Sequence, residues 1–184
     1  MMANFSLPSW LTTPTQGRKT SPFGQREAPT PGASRFHQGI DIAAPAGTAV
    51  VSALGGTIQS VGFSQARGNY ITVNHGGGLL TRYQHLSAVN VAVGNRVSQG
   101  QRIGAVGSTG ISTGNHLCFR LISNGQYVNP MTYRPSWYNT LNRPEGYTGG
   151  GGINLSGLDG ILGVIREHWL LLSIGLVALA IFKR

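Results

Sequence analysis

A chain of 184 residues has room for one domain of ordinary size and a tail, but not for a second catalytic domain. Fourteen Lys and Arg against five Asp and Glu give a formal charge of +9, which favours polyanions such as nucleic acid, anionic lipid or a bacterial envelope. The basic residues are scattered, with no Lys/Arg run interleaved with aromatics, so no nucleic-acid partner is expected. One cysteine, Cys118, excludes an intramolecular disulfide and leaves stability to packing or metal.

Residues 1–20 are polar and rich in Thr and Pro, and read as an irregular leader. They show no basic start followed by an apolar stretch and do not read as a secretory signal. From Ser21 onward the texture changes to short β-branched segments. Thr48 to Ala53, Thr57 to Phe63, Tyr70 to Asn74, Leu79 to His85, Arg102 to Val106 and His116 to Ile122 have strand character, bounded by turn signals such as Gly55-Gly56, Gly68-Asn69 and Gly76-Gly77-Gly78. The expected class is all-β, with antiparallel strands in a domain over residues 21–143.

Residues 144–160 are Gly-rich, cannot build a core and read as a linker. Beyond them Trp169 to Phe182 is an uncharged apolar run of 14 residues ending in Lys183-Arg184. A bilayer core needs ~20 residues. Extending the run back to Ile161 supplies that length and puts Arg166, Glu167 and His168 at an interface, where Trp169 and the terminal pair serve as anchors. A single membrane-anchoring helix is expected over residues 161–182.

Within the domain, His37 and Asp41 lie four apart with Gly39 between them, a spacing that lets both turn toward one ion. In the segment from His116 to Ile122, alternation puts Leu117, Phe119 and Leu121 on one face and His116, Cys118 and Arg120 on the other. Zinc accepts nitrogen, carboxylate oxygen and thiolate sulfur, and a catalytic site keeps one position open beside three protein ligands. His37, Asp41 and Cys118 supply such a trio. In the segment Tyr83-Gln84-His85-Leu86-Ser87, alternation places Tyr83 and His85 together, opposite Leu80.

These residues fall within a longer ordered series. Ser21-Pro-Phe-Gly-Gln-Arg26, His37-Gln-Gly-Ile-Asp41, Ala44-Pro-Ala-Gly-Thr48, Gly68-Asn-Tyr-Ile-Thr-Val73, Tyr83-Gln-His-Leu-Ser87, Val97-Ser-Gln-Gly-Gln101, Gly107-Ser-Thr-Gly110 and Thr113-Gly-Asn-His-Leu-Cys118 resemble, in order, the motifs of lysostaphin/LytM-type zinc endopeptidases of peptidoglycan. The resemblance covers roughly residues 20 to 135 and implies a compact antiparallel β fold with a substrate groove. It implies that His37 and Asp41 are zinc ligands with the third ligand at Cys118, and that His116 and His85 are the catalytic histidines. His116 is then the expected general base, and His85 orients water or stabilises an oxyanion. His75 corresponds to a structural turn histidine, and His168 lies outside the match.

The series departs from the family's pattern at Cys118, where the family has His. A carboxylate and a thiolate bring a Zn²⁺ site to zero net charge, whereas a carboxylate and two neutral imidazoles leave it at +1. Bound water should therefore be less acidified and activity should favour higher pH. The expected function is hydrolysis of peptidoglycan cross-links or stem peptides; the alternative is an inactive wall-binding or regulatory module. The tail adds the expectation of a membrane-anchored enzyme of a bacteriophage, in the virion membrane or the host inner membrane, acting at entry or lysis.

Overall fold

The computed structural model describes residues 7–135. Thirteen strands follow in chain order: β1 (Arg18–Ser21), β2 (Gly24–Gln25), β3 (Phe36–His37), β4 (Ile40–Ala43), β5 (Ala49–Val51), β6 (Gly56–Ser64), β7 (Gly68–Asn74), β8 (Leu79–Leu86), β9 (Ala88–Val89), β10 (Arg96–Val97), β11 (Arg102–Ala105), β12 (His116–Ser123) and β13 (Gln126–Val128). Eight of them form one antiparallel sheet in the order β1-β4-β12-β8-β7-β6-β10, with β13 pairing β12. The all-β class is borne out among the described residues. The expected linker at 144–160 and helix at 161–182 lie outside them, and no described helix is long and apolar enough to cross a membrane.

Register explains the two faces of the sheet. Partners directly opposite in an antiparallel pair share a face. Ile40 pairs with Phe119, Ile42 with Leu117, and Phe119 in turn with Tyr83, and all of these side chains are buried in the core. The intervening residues Asp41, Cys118 and Gln84 pair with one another on the opposite face. That face floors the groove. The smaller sheet β5-β11-β9 closes the core side, contributing Val50 and Ile103. Within it, a Cβ at Gly104 of β11 would come within 2.7 Å of Ala88 O of β9.

Turn chemistry sets the hairpins. Asn124 and Gly125 both take positive φ between β12 and β13, as a two-residue turn of the I′ kind requires. His75, at the start of the turn between β7 and β8, has Nδ1 2.8 Å from Gly55 O and Nε2 2.8 Å from Thr81 Oγ1. Both ring nitrogens are engaged in the scaffold, so His75 is structural.

The described part of the segment ahead of Ser21 is irregular over residues 7–17 and packed against the core. Residues 7–17 contain no strand, but Leu7, Trp10 and Leu11 are buried in the core and Trp10 meets the Tyr133 ring edge-on at 6.2 Å. Backbone hydrogen bonds tie Thr12 N to Ala53 O and Val51 N to Pro14 O, and β1 extends the main sheet by pairing with β4. Isolated apolar residues among Thr and Pro lack any period, which is why composition alone reads as irregular.

Candidate metal and catalytic centre

Three strands deliver the three residues that could hold a metal ion. Asp41 of β4 and Cys118 of β12 are directly opposite in register, and His37 reaches them from β3. Gly39 makes this possible: a Cβ there would run into Phe119 O and Arg120 Cγ, so only glycine lets the β3–β4 connection lie against β12. His37 Nε2 is then 3.1 Å from Asp41 Oδ1 and 3.4 Å from Cys118 Sγ. The three ligand atoms lie within 4.8 Å of one another, and all three residues are buried.

The surroundings fix how each ligand is presented. His37 Nδ1 lies 3.0 Å from Pro22 O; since a carbonyl only accepts, Nδ1 carries a proton and Nε2 is the nitrogen turned toward Asp41 and Cys118. Arg26 Nη1 donates to Asp41 Oδ2 at 2.8 Å and to Ser21 Oγ at 2.7 Å. Burial works to raise the Asp41 carboxyl, but His37, His116 and Arg26 outweigh it and hold the group at about 2. Burial foremost, with the charge of Asp41, pushes the Cys118 thiol up to about 12.

This donor set fits a zinc ion. Asp41 Oδ1 is buried and its near neighbour is Nε2 of His37, at 3.1 Å. Two acceptor atoms 3.1 Å apart are held together by a cation between them, either a proton on Nε2 or a metal ion. One nitrogen, one oxygen and one sulfur are all zinc ligands, and three of them leave a position open.

His116 and His85 flank the trio. His116 begins β12 on the groove face, its Nδ1 2.8 Å from Gly114 O and its Nε2 3.8 Å from Asp41 Oδ1. His85 arrives by a different route from the one alternation predicts. Tyr83 turns into the core, where its hydroxyl accepts from Ala53 N at 2.7 Å, so it does not share a face with His85. Between the pairs Asn69–Leu86 and Ile71–Tyr83, the two residues Gln84 and His85 stand against Tyr70 alone. This β-bulge, with His85 at φ 64°, re-aims the imidazole toward the groove. Its Nδ1 lies 2.8 Å from Thr109 O, and burial lowers its pKa despite that bond.

The structure thus brings all five expected residues, His37, Asp41, Cys118, His85 and His116, to the floor of one groove of about 660 Å³. Segments 26–34 and 111–115 supply its walls. Sequence reasoning missed Gln84, which lies buried opposite Cys118, and gave no role to Arg26, although Arg26 ends the first matched motif. It also missed Thr109, whose contribution to His85 is a backbone carbonyl without a side-chain signature.

Comparison with known proteins agrees with this geometry. The chain is 47% identical over 115 residues to the DD-carboxypeptidase/endopeptidase Mpg of Neisseria meningitidis, covering 62% of this chain and 26% of that protein, so it spans about a quarter of that relative's length. A zinc-containing peptidase from Vibrio cholerae superposes with a TM-score of 0.60 at 31% identity, over 71% of this chain and 39% of that one. The catalytic domain of the prophage-encoded M23 protein EnpA from Enterococcus faecalis, crystallised as a point mutant, does so with a TM-score of 0.57 at 33% identity, over 72% and 97%. The family model of peptidase family M23, a family of zinc metallopeptidases, matches residues 35–130. With the match spanning the trio and both flanking histidines, the chain belongs to peptidase family M23, to which the lysostaphin/LytM-type peptidoglycan endopeptidases belong.

Proposed function

We propose that the chain is a zinc-dependent endopeptidase that hydrolyses peptide bonds in the cross-links or stem peptides of bacterial peptidoglycan. The observation that carries this reading is the convergence of three buried N, O and S donors beside two imidazoles whose Nδ1 protons are both committed to backbone carbonyls. His37, Asp41 and Cys118 would hold the ion. The chemistry zinc supplies in such a set is Lewis acidity toward water, whose pKa it lowers toward ~7, and toward the scissile carbonyl.

The protein's own groups do the rest. With Nδ1 protonated, the Nε2 atoms of His116 and His85 are both free to accept a proton or a hydrogen bond. His116, nearer the trio through Asp41 Oδ1, takes the proton of the attacking water as general base. His85 accepts a hydrogen bond from that water and so orients it. While neutral in this tautomer it has no Nε2 proton to give, so orientation is favoured over donation to an oxyanion. Arg26 keeps Asp41 ionised and fixed, and the groove takes an extended peptide across the floor.

The apolar run from Trp169 to Phe182 supports anchoring of the enzyme to a membrane through residues 161–182. The prophage-encoded relative EnpA supports a bacteriophage role, with the enzyme in the virion or host membrane at entry or lysis. Digestion of purified sacculi, followed by mass spectrometry of the released muropeptides, tests the activity and names the bond. Release that needs zinc and disappears in His37→Ala is expected. Binding to sacculi without any release would leave only a wall-binding module. Recovery of the chain in lipid-containing particles tests the placement.

A further inference from the structure

Cys118 and Arg120 stand two residues apart on the groove face of β12, so strand alternation sets their side chains in line. Arg120 is held from several directions. Its Nη1 donates to Gln38 Oε1 at 3.0 Å, and its Cζ lies 5.5 Å from the centre of the Tyr127 ring. Its stem crosses Gly39, where a Cβ would come within 2.7 Å of Arg120 Cγ. Its Nε is buried without a hydrogen-bond partner.

The other anionic ligand has the same kind of support. Asp41 is gripped by Arg26 at 2.8 Å from the side of β2. Each of the two ligands that bring negative charge to the trio therefore has its own arginine. A set with one carboxylate and one thiolate places two negative charges in a partly dry site, and two fixed guanidiniums offset them.

We infer that Arg120 is a positioning residue for the metal centre, balancing the extra negative charge that Cys118 brings and holding its sulfur toward His37 and Asp41. The inference rests on the zinc reading above. It predicts that Arg120 matters to metal affinity only because residue 118 is a cysteine.

A double-mutant cycle on the full chain tests this, with zinc affinity read by competition against a chromophoric chelator. Arg120→Gln, Arg120→Met and Arg120→Lys are each made with Cys118 and with Cys118→His. With Cys118 in place, the two neutral substitutions should weaken zinc binding about 10- to 100-fold, the range for groups that support metal ligands, and Lys should recover most of the loss. With Cys118→His, the same substitutions should change affinity by no more than about twofold, the scatter of independent sites. In cobalt-substituted protein the sulfur-to-metal charge-transfer band should weaken only in the neutral Cys118 variants.

Circular dichroism checks folding, and Arg120→Met keeps the stem that crosses Gly39. Equal losses in both backgrounds, no loss with Cys118, or unfolding of every neutral variant in both backgrounds would make Arg120 a scaffold residue and overturn the inference. Wild-type protein that takes up no zinc would instead overturn the peptidase reading itself.

Discussion

His85 and His116 face each other with ring centroids 4.6 Å apart and planes inclined by 41°, having reached that position by different routes. His116 follows the regular alternation of β12, whereas His85 depends on a bulge in β8 and on the carbonyl of Thr109. Neither is among the three donors of the metal trio.

That separation predicts distinct phenotypes. His85→Ala and His116→Ala should each lower muropeptide release about 10²- to 10⁴-fold, the usual contribution of a positioned acid–base group. Zinc content, measured by elemental analysis, should remain at the wild-type level. Loss of the metal in either variant would show that the residue belongs to the ligand set instead.

Cys118→His exchanges an anionic ligand for a neutral one. The formal charge of the site with Zn²⁺ then rises by one, which acidifies bound water and moves the rise of kcat with pH to lower values. Rate–pH profiles of the two proteins on the same sacculi give the comparison. A shift to higher pH, or coincident profiles, would contradict the charge argument.

His75 gives the scaffold a pH dependence of its own. Burial lowers its pKa, with the bond to Gly55 O opposing, so the folded protein favours the neutral ring. The unfolded chain titrates near ~6.5. The stability supplied by neutral His75 is complete above that pH and declines as pH falls toward and through the lower folded value. In chelator-treated protein, the Tm advantage of wild type over His75→Gln should therefore be largest above neutrality and shrink on acidification. A constant difference across the range would refute it.

Trp10 lies within the core although it precedes every strand. Trp10→Ala should cost about 3–5 kcal/mol in urea unfolding, the range for removing a large buried aromatic. Zinc binding by the protein that remains folded should persist, because the candidate ligands come from β3, β4 and β12. A cost below about 1 kcal/mol, as for an exposed site, would mean that the segment is dispensable to the core.

Strands with local signals were legible in the sequence. The expected segment from Thr57 to Phe63 lies within β6, and that from His116 to Ile122 is β12 less its last residue. Alternation along β12 also placed Cys118 and His116 on the groove side. Ile40–Ala43 was not recognised as a strand, because its four residues are too few to display a period and its partners are distant in sequence. Strict alternation along β8 puts His85 on the face of Tyr83 for a related reason: the bulge that turns it exists only in the pairing with β7. The core role of Leu7, Trp10 and Leu11 depends in the same way on long-range packing rather than on pattern.

The bulge at Gln84 and His85 places a functional group by counting residues rather than by choosing them. Core side chains along β8 can be exchanged for others of similar volume without moving the histidine, because the strand keeps its length. Deleting either bulge residue restores even pairing with β7 and removes either His85 itself or the left-handed turn that aims it into the groove. For protein engineering, β8 is therefore permissive to recoding and intolerant of indels, and libraries built on this scaffold should vary its composition while leaving its length untouched.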